Sequence, residues 1–222
     1  INFDLPRKKT DPLLSAEEAK SIQALIENTS LKISSISQRP VKTKPKPPFI
    51  TSTLQQAAST RLGFNVKRTM RVAQKLYENG FITYMRTDAP SLSKESIQDA
   101  RAFIGDELGS SYLTNAPRIY SSQENAQEAH EAIRPTSASR KPGMITSSSD
   151  EEQRLYELIW QQFISSQMPD AEYLSTSAKV NLEGYEFVAR GREVVFDGFT
   201  KVMPPRKDED AILPPLAEGD TL

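Results

Sequence analysis

A chain of 222 residues, 37% hydrophobic and 26% charged, has an ordinary globular composition with room for one large domain or two small ones. With no cysteine and a single histidine, it excludes a disulfide framework and a thiolate or histidine-cluster zinc site. The net charge of −1 advertises no overall polyanion-binding excess, and no apolar run approaches the roughly 20 residues of a membrane span.

Ser15-Ala16-Glu17-Glu18 is a capping box, and Ile22, Leu25 and Ile26 recur at helical spacing, so a helix is predicted over 16–28. Leu31, Ile33 and Ser35 alternate as a strand would, over 31–38. Arg39 to Pro48 interleaves prolines with Arg39, Lys42, Lys44 and Lys46 and reads as an extended connector. A second capping pattern at Ser52–Gln55 opens a helix over 53–62 that Gly63 ends. Asn65 caps a helix over 66–78 with Val66, Met70, Ala73, Leu76 and Tyr77 as its apolar stripe, and Gly80 stands where a left-handed residue belongs. A strand follows over 81–86. Helix, turn, helix and strand together outline a winged helix-turn-helix.

Ser93 opens a helix over 94–108 with Ile97, Phe103, Ile104 and Leu108 inward. Residues 109–127 read as a loop, 128–135 as a compact segment turning at Pro135, and 136–149 as a second loop. Asp150 caps a helix over 151–167, which buries Leu155, Leu158, Ile159 and Phe163 and stops at Pro169. Strands are predicted over 175–182, 185–190 and 193–203, with turns at Glu183-Gly184 and Gly191 and an irregular tail from Pro204. The class is α+β: residues 1–45 and 171–222 form a β-rich domain into which 46–170 is inserted as a helical domain. The chain begins at Ile1 rather than methionine and stops at Thr221-Leu222, so a piece of a longer protein is expected.

Charge is segregated along the chain. Arg61, Lys67, Arg68, Arg71 and Lys75 follow the basic connector, whereas acids gather at 150–152 and 208–210. Such a basic face either attracts phosphates or is a solvated helix surface. The segment Gly80-Phe81-Ile82-Thr83-Tyr84-Met85-Arg86-Thr87-Asp88 is more specific. In an extended chain Tyr84 and Arg86 leave the same face. A phenolate can attack phosphorus while a guanidinium fork holds the phosphate oxygens. A free tyrosine ionises near pH 10, so this chemistry requires nearby positive charge.

Pro48–Gln55, Gly80–Asp88, Glu128–Pro135 and Phe196-Asp197-Gly198-Phe199, in that order, resemble the bacterial DNA topoisomerase I family of the type IA class. The resemblance implies cleavage and rejoining of single-stranded DNA through a 5′-phosphotyrosyl link, without ATP, relaxing negatively supercoiled DNA in the cytoplasm at the nucleoid. It implies a β-rich arch carrying a helical domain with the tyrosine. Tyr84 matches the nucleophile, Arg86 the arginine beside it, and His130 a phosphate-contacting histidine. Thr83, Thr87 and Asp88 are expected to orient the site, although Asp88 equally suits a cap for the turn before Pro90. Arg134 either contacts DNA or neutralises Glu128 and Glu131. Arg61, Arg68 and Gln74 are further DNA-binding candidates.

Two departures stand out. Ala89-Pro90 follows Asp88 where the family commonly has serine, and nothing here resembles the family's Toprim domain, with its magnesium-binding acids and acid–base residues. Magnesium is therefore expected in the full-length enzyme on that absent domain and not on this chain, whose partners would be DNA and the missing domains. The chain alone is expected to be inactive. Rival readings are a non-enzymatic winged-helix DNA-binding module and a protein-interaction domain.

Overall fold

The computed structural model describes residues 4–5, 14–120, 131–145, 149–205, 213–214 and 216–221. It is a mixed α/β chain that divides into two units, each with its own core. One unit comprises Ile1–Lys42, Glu172–Phe196 and Lys207–Leu222; the other comprises Thr43–Ala171 and Asp197–Arg206.

The first unit is built on helix α1 (Ala16–Asn28) and a three-stranded sheet of β1 (Ile33–Thr43), β2 (Ala171–Leu182) and β3 (Tyr185–Phe196), in the order β1-β2-β3. Ser15 and Glu18 form the capping box that starts α1. Ile22 packs with Ile33, Val180, Leu182 and Phe187. β2 and β3 pair antiparallel around Glu183 and Gly184, whose φ values of 46° and 89° give the left-handed turn that matches strand twist.

Two strand readings need correction. β1 runs on through Thr43, because an edge strand tolerates Pro40, whose missing amide can face away from the ladder. β3 passes through Gly191 without a break, paired with Thr176, and ends at Phe196, so no separate strand spans 193–203. Beyond it lies a 3₁₀ turn, Gly198–Lys201.

The second unit gathers α2 (Thr51–Leu62), α3 (Val66–Glu78), α4 (Lys94–Glu107) and a 3₁₀ turn at Ser110–Tyr112 around α5 (Asp150–Ser166). Leu155, Tyr156, Leu158, Ile159, Trp160, Phe163 and Ile164 are all buried, so α5 is apolar on most of its circumference, as a central helix must be. Each large apolar side chain removed from water contributes about 1.5–3 kcal/mol. The polar atoms that α5 carries inward fasten neighbouring loops. Trp160 donates to the Ala138 carbonyl at 2.9 Å, Tyr156 to Arg140 at 2.7 Å, and Gln162 to Lys46 and Pro47 at 2.9 and 2.8 Å.

Three local readings change here. α2 begins at Thr51 behind Ile50, with Thr53 Oγ1 accepting the Ile50 amide, so Ser52 is not its cap. Ser149, not Asp150, caps α5. On α3 the inward stripe is Thr69, Val72, Ala73 and Leu76, while Val66 and Tyr77 are exposed.

Candidate active site

The segment carrying Tyr84 acquires its shape without a ladder. Instead of the strand expected over 81–86, the structure has one isolated bridge, Ile82 with Pro135. Two threonine hydroxyls, one on the segment and one on α2, take the place of a partner strand. Thr83 Oγ1 donates to the Ala132 carbonyl at 2.7 Å and accepts the Arg134 amide at 3.0 Å, while its own amide donates to Arg134 at 2.9 Å. Thr51, in the first turn of α2, lies within hydrogen-bond reach of the Met85 and Thr87 carbonyls at 2.9 and 3.0 Å and accepts the Thr87 amide at 3.0 Å. Burial nevertheless alternates: Met85, Thr87 and Ala89 are inside, and Tyr84, Arg86 and Asp88 face solvent.

Tyr84 is 47% exposed, with its ring edge-on to Tyr77 at 5.2 Å between centroids. Among the described residues none hydrogen-bonds its hydroxyl. Arg86 lines an open pocket of about 420 Å³ with Ile50, Thr51, Ser52, Gln55, Thr87 and Asp88. The first turn of α2 forms one wall, so the positive end of that helix and the guanidinium act on the same space.

Among the described arginines of this unit, Arg86 alone has no partner. Arg68 and Arg71 share Glu151 at 2.6 and 3.0 Å, Arg118 holds Asp170, Arg134 holds Glu131 at 2.7 Å, and Arg154 meets Asp150 at 3.8 Å. Arg61, Arg101 and Arg140 hydrogen-bond to Pro204, Thr114 and Gly80. An uncommitted planar fork is free to grip two oxygens of a phosphate.

The other candidate residues are placed differently. Arg68 also stacks over Phe64 at 4.2 Å, Gln74 donates to Glu78 at 2.7 Å, and neither these nor Arg61 line the pocket. Thr87 is buried, its hydroxyl accepting the Ala89 amide at 3.1 Å, and forms part of the pocket wall. Asp88 sits exposed on the same wall. His130 and Glu128 lie outside the described residues.

Glu131 is a site residue that sequence reasoning gave no role of its own. Its carboxylate accepts the Ser93 amide at 2.7 Å while binding Arg134, which ties the 131–136 segment to the start of α4. Burial pushes its pKa up, but the Arg134 charge and the hydrogen bonds from Arg134 and Ser93 outweigh this and hold the carboxyl below its ordinary value. The pocket-wall residues Ile50, Thr51, Ser52 and Gln55 were read as a helix start and as part of the family resemblance, with no contact to the site assigned to them, although a hydroxyl-rich run at a helix start was the available signal. Among the described residues no three His, Asp or Glu side chains converge as a cluster of metal ligands would.

A family model described as DNA topoisomerase matches residues 2–222. The chain belongs to the bacterial DNA topoisomerase I family. It is 46% identical over 226 residues to DNA topoisomerase 1 of Pseudomonas aeruginosa, covering 100% of this chain and 26% of that protein. It is 46% identical over 211 residues to the Escherichia coli protein of the same name, covering 94% and 24%. The fold also matches full-length topoisomerase I from Thermotoga maritima, with a TM-score of 0.77 at 33% identity over 99% of this chain and 36% of that one. The chain therefore spans about a quarter of the length of these first two relatives.

Proposed function

We propose that this chain carries the nucleophile of an ATP-independent type IA DNA topoisomerase, which cleaves and rejoins single-stranded DNA and so relaxes negative supercoils. One observation supports it above others: an exposed phenol without a described hydrogen-bond partner stands two residues from the unpaired guanidinium that lines an open pocket. Tyr84 Oη attacks a backbone phosphorus, and the Oη–P bond forms as the P–O3′ bond breaks. The phenolic proton passes to a base, and the departing 3′ oxygen takes up a proton. Arg86 holds the non-bridging oxygens while negative charge gathers on them. His130 is assigned a second contact with the phosphate. Because a phosphodiester is exchanged for a phosphotyrosyl ester, the returning 3′-hydroxyl can reseal the strand without a nucleotide cofactor.

The acid–base residues and the magnesium ion are assigned to a Toprim domain. The sheet-bearing unit is read as part of an arch, with α2, α3 and the 80–88 segment as a winged helix-turn-helix-like carrier of the tyrosine. The isolated chain is expected neither to cleave nor to relax DNA, and an adduct between it and an oligonucleotide would refute that.

The functional test is a chimera in which this chain replaces the matching quarter of the Escherichia coli enzyme. The chimera should relax negatively supercoiled plasmid, and its Tyr84→Phe variant should not. A chimera that binds single strands with parental affinity yet relaxes nothing would contradict the proposal.

A further inference from the structure

The two reactive residues are not held by their own backbone. Among the described residues, the amides and carbonyls of Tyr84 and Arg86 make no hydrogen bond. Their neighbours at odd positions are fixed instead. Thr83 is tied to 132–134, the Met85 side chain is sunk in the core at 1% exposure, and the backbone of 85 and 87 is tied to Thr51. This accounts for period-two exposure in a segment that has no sheet.

We propose that Thr51 and Thr83 are positioning residues for the Tyr84–Arg86 pair, fastening their segment to two separate elements, α2 and the 131–136 segment, so that phenol and guanidinium reach one phosphate together. The inference rests on the reaction proposed above. Each hydroxyl donates and accepts at once, which no aliphatic side chain of the same shape can do. Thr51 spans the residues on either side of Arg86, and its loss frees the guanidinium. Thr83 immediately precedes Tyr84, and its loss frees the phenol. The Arg134–Glu131–Ser93 links stiffen the element to which Thr83 is tied, so the grip is anchored at both ends.

The test uses the same chimera and measures single-turnover formation of the covalent adduct at saturating single-stranded oligonucleotide, well below each variant's melting temperature. Because a misplacement of about 1 Å can cost roughly 100-fold, Thr51→Val and Thr83→Val should each cleave about 10- to 100-fold more slowly. Oligonucleotide affinity should stay within about threefold, since positioning acts on the reacting geometry more than on overall binding. Thr51→Ser and Thr83→Ser, which keep the hydroxyl, should restore most of the rate. A role in stability alone would lower the melting temperature and leave the rate of the folded protein unchanged.

Valine variants that cleave at the parental rate, or serine variants as slow as valine, would overturn the proposal. Should a valine variant fail to fold, Thr51→Cys and Thr83→Cys decide: their weaker donor should give a rate below serine, and a cysteine rate equal to threonine would overturn it. A covalent adduct that persists in Tyr84→Phe would instead defeat the underlying reading.

Discussion

Replacing Gly198 by alanine tests how closely the Gly198–Lys201 turn packs on the Pro169–Asp170 backbone. Gly198 has φ +49°, and an added Cβ would lie 2.3 Å from the Asp170 carbonyl oxygen, 2.6 Å from its carbon and 2.8 Å from the Pro169 oxygen. None of these atoms can yield cheaply. The Pro169 carbonyl accepts the Phe199 amide at 3.0 Å, and Asp170 is held by Arg118, which also donates to Met168 at 2.8 Å. The left-handed backbone costs about 1–2 kcal/mol once a Cβ is present. Forcing atoms into occupied space costs about 1–3 kcal/mol more. The expected loss is their sum, about 2–5 kcal/mol, or roughly 4–20 °C in melting temperature for a protein of this size.

Trp160, the only tryptophan, is buried in the same unit, so its fluorescence follows the relevant core during thermal or urea unfolding of the chain. Gly63→Ala is the control: it has φ +70° with nothing within 4 Å of the added Cβ, and it should lose only the backbone part, about 1–2 kcal/mol. Equal losses at the two positions would refute the overlap argument.

Two further predictions concern groups whose ionisation the fold perturbs. Because the Glu131 carboxyl is held below its ordinary value of 4.5, its contribution is fully present above that pH and is lost as pH falls through the lower folded value. Glu131→Gln should therefore be less stable than the parent at pH 7 and lose less in urea midpoint between about pH 5 and about pH 3; parallel pH profiles would contradict this. Burial pushes the Tyr156 phenol up to about 12, so Tyr156→Phe should remove the last phenolate step from an ultraviolet titration. It should also cost about 1–2 kcal/mol through the lost bond to Arg140; an unchanged titration would count against the placement.

What was legible in the sequence was local chemistry. Ser15, Asn65 and Ser93 cap their helices as their side chains predict, and Gly63, Gly80 and Glu183-Gly184 take the left-handed turns. The exposure of Tyr84 and Arg86 was legible for a related reason, because alternation of Met85, Thr87 and Ala89 with polar neighbours expresses burial whether or not a sheet forms. The means of holding them was not. The hydroxyls of Thr51 and Thr83 bond to residues tens of positions away, and no local pattern announces such pairing. The neutralisation of Arg68 and Arg71 by Glu151 was hidden in the same way, since the acid stands about 80 residues downstream in a run that reads as an ordinary helix start. Gly191 misled as a turn because an unbroken strand can carry glycine where it is buried and paired.

The most direct measurement is to map the covalent link itself. The chimera is incubated with a single-stranded oligonucleotide and trapped in denaturant, then digested and sequenced by mass spectrometry. The account predicts a phosphate ester on the phenol of Tyr84, joined to the 5′ end of the downstream fragment, and no adduct in Tyr84→Phe. A nucleotide attached to any other residue, or an adduct of equal yield in the phenylalanine variant, would contradict it.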